Sequence, residues 1–432
     1  MNLSSSIKTI LKMIGLIVGA ACIGLFFMWL VYLLPVKPMT ENIIKSYEFI
    51  NHQESVDFKD LSVAYFPEAY DAGTNIIIFQ EVIYPNTDTP FQDALLVPNV
   101  DVWMRAMNKW SEGLLDVAKN GVEPTDRINT YARYWHGYLV LQKPLLSIMD
   151  VESMYMLNTI VLFLLVVAVV YFMYKRLGWY CIAYVFTILC MYPENIIHSL
   201  QLSSVFYALN ITMLLLLVKT DWKKEQIYAI FALDGILIAF FDFLTYPLVA
   251  ASIPFLTFYL LYRKSKFLDN LVDFIKNGIS FVWGYAGMWA MKWIFATVFT
   301  EENIIKDAIA SVLQRTGTVE NSEDSIMTWG VAESVTRNID TFFNEKNSII
   351  LMIITVLIIV LLIKKRKELV VDKQLLVFAG MILLTPFAWL IVLNNHCALH
   401  PHLEWRTVSV ALYAILVFII SLFPKGDKIW TK

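Results

Sequence analysis

Long apolar runs alternate with short polar connections along most of this chain. A transmembrane helix needs roughly 20 apolar residues to cross about 30 Å of hydrocarbon, and runs of that length recur throughout. The pattern predicts an all-α polytopic membrane protein with about ten transmembrane helices. The predicted spans are 9–34, 151–174, 177–193, 201–218, 226–242, 246–262, 275–299, 348–363, 375–394 and 407–423.

Basic residues cluster at one side of these predicted spans. Because Lys and Arg are enriched in cytoplasmic connections, this side is predicted to be the cytoplasm and to hold both termini. The clusters are Lys8/Lys12, Lys175/Arg176, Lys219/Lys223/Lys224, Arg263/Lys264/Lys266, Lys364/Lys365/Arg366/Lys367 and Lys425/Lys428. The first run shows no cleavage pattern, so we interpret it as a retained anchor in the bacterial plasma membrane rather than a signal peptide.

One long hydrophilic segment interrupts the apolar pattern. We predict a first transmembrane helix within 1–34, an extracytoplasmic segment over 35–150, and a bundle of about nine helices over 151–432. The segment 35–150 has 16 acidic and 9 basic residues, which fits the outer side. Apolar spacing predicts an amphipathic helix over Val100–Lys119, and aromatic residues predict an interfacial helix over Tyr131–Ile148.

A second outer segment, 300–347, is polar and contains a run at 321–324 that is typical of a loop.

Composition excludes other classes of protein. Hydrophobic residues make up 58% of the chain and the mean hydropathy is +0.59, which is not typical of a soluble globular protein. The net charge of −3, with no basic patch, argues against nucleic-acid binding. Membrane lipids are the expected surroundings.

All the histidines fall on the predicted outer side. They are His52, His136, His198, His396, His400 and His402. The outer segments are also the longer ones, which accounts for part of this distribution. Residues suited to proton or phosphate chemistry are therefore expected at one face of the membrane.

Asp71 is the candidate catalytic base. A carboxylate near the membrane boundary can deprotonate a hydroxyl acceptor, since desolvation raises its pKa toward the working range. Asn75 follows one helical turn later as a supporting residue. Asp71-Ala72-Gly73 is also ordinary turn chemistry, so a purely structural role stays open.

Arg133 and His136 are candidates for binding a phosphate. They lie three residues apart, on one face if the segment is helical, and a guanidinium offers a planar fork to phosphate oxygens. An Arg that extends to the interface beside an aromatic belt is the structural alternative.

The last outer segment, 394–406, has the densest set of polar residues. It contains His396, His400, His402, Glu404 and Arg406. The spacing of His400 and His402 matches no strong metal signature, so no metal ligand is assigned, although a divalent cation stays open. A phosphate or sugar-phosphate pocket centred on Arg406 is the preferred interpretation, and a hydrated turn is the alternative.

Charged residues also occur inside the predicted spans. Asp234 and Asp242 lie two helical turns apart in one span, and Lys292 lies in another. Intramembrane charges usually face a cavity or a partner. An ion pair of Lys292 with either aspartate is one expectation, and Asp242 would also lie beside the outer segment.

The layout resembles that of GT-C-fold glycosyltransferases, with one span, a long outer segment carrying an acidic residue, and then many spans. Several stretches are similar to an uncharacterised subgroup of Gram-positive bacteria. They are Arg133-Tyr134-Trp135-His136-Gly137-Tyr138, Phe241-Asp242-Phe243-Leu244-Thr245-Tyr246-Pro247, the pair His396 and His400 followed by Arg406, and Asp71-Ala72-Gly73-Thr74-Asn75. The last stretch departs from the subgroup pattern at Ala72 and at Asn75, which stands at the second acidic position.

The resemblance implies transfer of a sugar from a polyprenyl-phosphate carrier to a cell-envelope glycan or teichoic-type acceptor. Asp71 would be the base. Arg133, His136, His400, His402 and Arg406 would bind the carrier phosphate or the sugar. Asn75, Asp242, His396 and Glu404 would support them. The absence of a nucleotide-binding glycine-rich motif fits a lipid-linked donor.

Two other functions compete with this one. A transporter or flippase of a lipid-linked or anionic solute would need charges near the bilayer midplane and two related halves; Asp234 and Lys292 partly supply the charges. A non-catalytic subunit of an envelope-polymer assembly would tolerate loss of Asp71, Arg133 and Arg406.

Overall fold

The structure is a computed structural model that describes residues 3–57, 71–106, 109–219, 221–318 and 329–423. It is 79% helical and has one two-stranded antiparallel ribbon. The predicted all-α fold class is confirmed.

The first helix and the outer segment form the N-terminal part. Its elements are α1 (Leu3–Tyr32), α2 (Val36–Lys45), α3 (Tyr47–Asp57), α4 (Ala72–Ile83), α5 (Pro90–Leu96), β1 (Pro98–Val100), α6 (Val102–Arg105), α7 (Trp110–Asn120), β2 (Ile128–Thr130) and α8 (Leu139–Leu146). Strands β1 and β2 pair with Pro98 opposite Thr130.

The remaining helices belong to the C-terminal part of the chain. They are α9 (Val151–Leu177), α10 (Cys181–Leu189), α11 (Pro193–Ile197), α12 (Leu200–Val218), α13 (Lys224–Phe241), α14 (Pro247–Tyr262), α15 (Phe267–Phe299), α16 (Ile304–Arg315), α17 (Val331–Phe342), α18 (Glu345–Lys365), α19 (Lys373–Val392), α20 (Asn394–Leu399), α21 (Pro401–Glu404) and α22 (Ser409–Ser421). The 3-10 turns Gly178–Tyr180 and Trp405–Val408 connect α9 to α10 and α21 to α22.

Six helical segments among the described residues are long and apolar enough to cross a membrane. They are Ile10–Tyr32, Val151–Leu189, Leu200–Val218, Glu345–Lys365, Lys373–Val392 and Pro401–Ser421. Seven of the ten predicted spans lie on them, because 151–174 and 177–193 share the segment Val151–Leu189. These helices indicate a multi-pass membrane protein.

The other three predicted spans lie on α13, α14 and α15. Helix α14 has 16 residues and is short for a span. Helix α13 carries Lys224, Glu225 and Asp234, and α15 is interrupted by glycines and Lys292. The ten-span topology therefore stays a prediction, as does its orientation.

Two glycines bring α13 and α15 close together. A Cβ atom at Gly284 would collide with the carbonyl of Ala232, and one at Gly235 would collide with the carbonyl of Phe281. Small residues allow helix backbones to approach closely in membranes. This contact holds the middle of α13 against the middle of α15.

The N-terminal part packs onto the bundle. One buried apolar cluster joins α1 and the outer segment to residues of α13 and α15, including Phe240 and Met288. The indole of Trp135 donates a 2.7 Å hydrogen bond to the carbonyl oxygen of Met288. The outer segment is thus seated on α13 and α15, where the candidate site lies.

The predicted helix over Tyr131–Ile148 is wrong for its first eight residues. Residues 131–138 are turns and irregular backbone, and α8 begins at Leu139. The amide of Gly137 donates a 2.8 Å hydrogen bond to the carbonyl of Phe240, at a contact too close for a side chain. His136 has φ 54°, which breaks a helix.

The other local predictions are also modified. The helix predicted over Val100–Lys119 is divided into the end of β1, the short α6 and α7. The segment 300–347, for which the sequence predicted only a polar outer segment, contains the helices α16 and α17. Its run at 321–324 lies outside the described residues.

Candidate functional site

Asp71 caps the start of α4 in an unusual backbone conformation. Its φ and ψ are 54° and 45°, in the left-handed region. The Thr74 hydroxyl donates to one carboxylate oxygen of Asp71 at 2.7 Å. The side-chain amide of Gln201, on α12, donates to the other oxygen at 2.5 Å. Both oxygens are therefore oriented by neighbours from two different parts of the chain.

The last outer segment reaches the same carboxylate. The Nε2 atom of His402 lies 3.9 Å from an Asp71 carboxylate oxygen. Asn75, one turn into α4, donates a 2.9 Å hydrogen bond to the carbonyl of His198. The structure thus brings together Asp71 and His402, which the sequence placed near opposite ends of the chain.

Three histidines of the last outer segment form a row that begins at Asp71. The ring centroids of His402 and His400 are 5.8 Å apart, and those of His400 and His396 are 4.9 Å apart. The Nε2–H of His396 donates to the carbonyl of Leu244 at 2.9 Å. A carboxylate oxygen of Glu404 lies 3.4 Å from the same nitrogen.

The far end of this row is electrically neutral at neutral pH. Burial, reinforced by the nearby positive charge of Arg315, lowers the pKa of His396 to about 3. Burial also lowers the pKa of His400 well below its ordinary value, and the neighbouring histidines and Arg315 add to this effect. These two imidazoles can therefore donate and accept hydrogen bonds without carrying a charge.

Asp242 organises the hairpin that carries Leu244. Its carboxylate accepts hydrogen bonds from the backbone amides of Leu244 and Thr245 and from the Thr245 hydroxyl. Leu244 has φ 76°, so the turn that presents its carbonyl to His396 is strained.

Arg406 and Glu404 are buried below the histidine row. The Arg406 guanidinium donates to the carbonyls of Met191 at 3.1 Å and His402 at 2.8 Å. Glu404 accepts from the Trp389 indole at 3.0 Å and from the Thr407 hydroxyl at 3.3 Å. These contacts give both residues a structural part in holding the last outer segment.

Arg133 and His136 point in different directions, because the segment that carries them is not helical. Arg133 forms a 2.9 Å ion pair with Asp307 on α16. The buried Nδ1 of His136 lies 2.5 Å from the Tyr138 hydroxyl and 3.2 Å from the Glu81 carboxylate, and Nε2 lies 2.9 Å from the carbonyl of Tyr131. Within the described residues, the hydrogen bonds and ion pairs of both side chains go to groups other than Asp71 and the three histidines.

Lys292 pairs with neither Asp234 nor Asp242. Its ammonium donates a 2.7 Å hydrogen bond to the carbonyl of Leu95 and lies 5.6 Å from the centre of the Trp135 ring. Glu81 is the carboxylate that acts on it electrostatically. The expected intramembrane ion pair is therefore absent among the described residues.

Two residues of this site, Gln201 and Arg315, are not predicted from the sequence. Gln201 lies in an apolar run of the sequence. It is identified only in the structure, where its fully buried side-chain amide needs a hydrogen-bond partner. Arg315 ends α16, in a polar segment for which no helix was predicted, and its guanidinium lies 5.3 Å from the centre of the Tyr134 ring. Only the packing of α16 against the rest of the chain reveals that Arg315 faces the histidine row.

No group of three His, Cys, Asp or Glu side chains suited to a metal ion occurs within the described residues. The polar groups of the site are carboxylates, imidazoles, guanidinium groups and the Gln201 amide. The fold and the site define a helical multi-pass membrane protein with a polar, partly buried cluster between its first and last outer segments. Comparison with protein-family models, curated proteins and solved structures finds no match for the chain.

Proposed function

We propose that this protein is a membrane glycosyltransferase. It would transfer a sugar from a polyprenyl-phosphate carrier to a cell-envelope glycan or teichoic-type acceptor at the outer face. The observation that carries the proposal is the oriented Asp71 carboxylate, held by Thr74 and Gln201 and facing His402. The GT-C-like layout of the sequence supports the same activity.

Asp71 acts as the base in this proposal. The acceptor hydroxyl gives its proton to Asp71 while its oxygen forms a bond to the anomeric carbon of the sugar. The bond from that carbon to the carrier phosphate breaks, and the phosphate leaves with the electron pair. His402 lies close enough to Asp71 to take up the proton through a small movement or a bridging water.

The bonds that hold Asp71 also explain why a glutamine lies in α12. A carboxylate that accepts two hydrogen bonds keeps one orientation, and acid–base catalysis requires the base to be in place before the substrate arrives. Gln201 is a positioning residue in this account. Asn75 and Arg406 have the same kind of role, since each holds a neighbouring backbone segment.

A transporter of an anionic or lipid-linked solute is the second candidate. Asp234 favours it, because this carboxyl group is completely buried within α13. Intramembrane acids often mark an ion or proton pathway. If this candidate is correct, Asp234→Asn abolishes activity in cells and Asp71→Asn does not.

The proposal can be tested in isolated membranes. Membranes that contain the wild-type protein or Asp71→Asn are supplied with lipid-linked sugars extracted from the producing cells, and released polyprenyl phosphate is measured by mass spectrometry. We expect release with the wild type and a loss of about 100-fold or more with Asp71→Asn, as for removal of a general base. Equal release from both membranes would contradict the assignment of Asp71.

A further inference from the structure

We propose that Arg315, Tyr134, Tyr285 and Trp289 form an oxyanion site that binds a phosphate ester. The inference rests on the proposed function, since the ligand would be the phosphate of the lipid carrier. It assigns that phosphate to Arg315, in place of the arginines that the sequence suggested.

Arg315 has no carboxylate partner among the described residues. Its guanidinium donates a hydrogen bond to the Tyr134 hydroxyl and lies over the ring of the same tyrosine. Arg133 is instead paired with Asp307, and Arg406 is bonded to backbone carbonyls. Arg315 is thus the arginine near the histidine row whose charge is left for a ligand.

Two further donors in the same place lack an acceptor. The Tyr285 hydroxyl and the Trp289 indole nitrogen are buried, and neither forms a hydrogen bond within the described parts of the chain. Buried polar groups are normally hydrogen-bonded, so donors without an acceptor indicate a missing partner. Because Tyr134 already accepts from Arg315, its own hydroxyl hydrogen is a third such donor.

These donors converge on one region. The Trp289 ring centroid lies 5.0 Å from that of Tyr134 and 5.9 Å from that of Tyr285. The Tyr285 hydroxyl is within electrostatic range of Arg315 and Tyr134. A guanidinium, two phenols and an indole all donate, so the ligand that completes them must accept several hydrogen bonds and carry negative charge. Phosphate meets both conditions.

The hydrogen bonds that the nearby carboxyl groups accept come from their own segments, and the Oε1 atom of Glu404, which accepts none within the described residues, lies 3.4 Å from Nε2 of His396. Asp242 and Glu404 act electrostatically on Tyr285. Asp242 accepts from the Leu244 and Thr245 amides, and Glu404 accepts from Trp389 and Thr407.

The location also fits a displacement reaction. Arg315 acts electrostatically on His396 and His400, whereas Asp71 lies beside His402 at the other end of the row. The base and the phosphate would then lie on opposite sides of the sugar, as attack opposite the leaving group requires.

The test uses the full-length protein in lipid nanodiscs, with farnesyl phosphate, farnesol and inorganic phosphate as probes and calorimetry as the readout. We expect Arg315→Gln to weaken farnesyl phosphate binding by about tenfold or more, as for loss of a charge-assisted hydrogen bond. Arg315→Lys should recover part of the affinity, because it keeps the charge. Lys306→Gln removes one exposed charge from the same helix and should bind like the wild type.

Trp289→Phe removes one hydrogen-bond donor and keeps a ring, so a several-fold loss is expected even if Arg315→Gln fails to fold. Farnesol should bind equally weakly to the wild type and Arg315→Gln. If inorganic phosphate competes with farnesyl phosphate, the site recognises the phosphate group without the lipid. If Arg315→Gln weakens the binding of farnesyl phosphate and inorganic phosphate does not compete, the site recognises the lipid-linked ester. Unchanged farnesyl phosphate affinity in folded Arg315→Gln and Trp289→Phe would overturn the proposal.

The two proposals fail in different ways. If farnesyl phosphate binding depends on Arg315 but no sugar is transferred, the oxyanion site is supported and the transferase function is contradicted. If sugar transfer depends on Asp71 but is unchanged in Arg315→Gln, the transferase function is supported and the oxyanion site is contradicted.

Discussion

At the scale of single residues, Asp71 has a left-handed backbone conformation that few residues other than glycine adopt. Asp and Asn are among the non-glycine residues that tolerate the left-handed region. Asp71→Asn is therefore a conservative test of charge, since it preserves the backbone preference and most of the shape. Thr74 and Gln201 fix the carboxylate that this backbone presents.

The residue scale also separates what the sequence could predict from what it could not. Asp71 stood out because it lies in a stretch similar to the acidic motif of the subgroup, and His402 because it belongs to the densest set of polar residues in the chain. Arg315 did not stand out, because one more arginine in a polar segment carries no signal until α16 packs against Tyr134. Glu81 was missed because its partners His136 and Tyr138 come from another stretch of chain.

Lys143 gives a prediction for the pH dependence of stability. Its ammonium donates to the carbonyl of Val82, and burial lowers its pKa to about 7, although Glu81 and Asp93 oppose this effect. In the unfolded chain the pKa is about 10.4. Between pH 7 and that value the unfolded state binds more protons, so stability rises with pH by up to about 1.4 kcal/mol per unit.

Thermal unfolding of the purified protein from pH 7 to pH 10 measures this dependence. Lys143→Met should make the rise less steep, whereas Lys119→Met, at an exposed position in α7, should keep the wild-type slope. Identical slopes in Lys143→Met and the wild type would show that Lys143 does not titrate in this range.

At the scale of elements, apolar periodicity predicted the long helices well. The span predicted at 201–218 is the helix Leu200–Val218, and the span at 375–394 is Lys373–Val392. Prediction failed at residues 131–138, where the composition resembles an interfacial helix but Gly137 meets the carbonyl of Phe240. That contact joins distant parts of the chain, so it cannot be predicted from local periodicity.

The glycine contact between α13 and α15 gives a prediction at this scale. Gly284→Leu should separate the two helices and lower stability by about 1–3 kcal/mol, as overpacking does. Gly278→Leu is the matched control, because a Cβ atom at Gly278 has open space. Thermal midpoints in detergent compare the two; equal midpoints would mean that the helices do not require this close approach.

At the scale of the whole molecule, the account depends on the sidedness of the outer segments. The first and last segments must lie on the same side for Asp71 to meet His402, and the structure provides that meeting. The positive-inside pattern predicts that this side is the outer one. Of the three helices α13, α14 and α15 that carry predicted spans, α14 is short and α13 and α15 carry charged residues, which is why the number of spans stays a prediction.

Cysteine labelling tests this orientation. A membrane-impermeant maleimide should label Thr125→Cys, at an exposed position of the outer segment, in intact cells. Lys367→Cys, after α18, should be labelled only after permeabilisation. Background should be low, because three natural cysteines are buried and the exposed Cys22 lies on a candidate span. The reverse labelling pattern would invert the topology.

The most direct test of the central claim is the envelope-glycan composition of cells that lack the protein, complemented with the wild type or with Asp71→Asn. We predict that a sugar is lost in the deletion, is restored by the wild type and is not restored by Asp71→Asn present at the same level in the membrane. Restoration by both proteins would exclude Asp71 as the base. Identical glycans in all strains would contradict the glycosyltransferase itself.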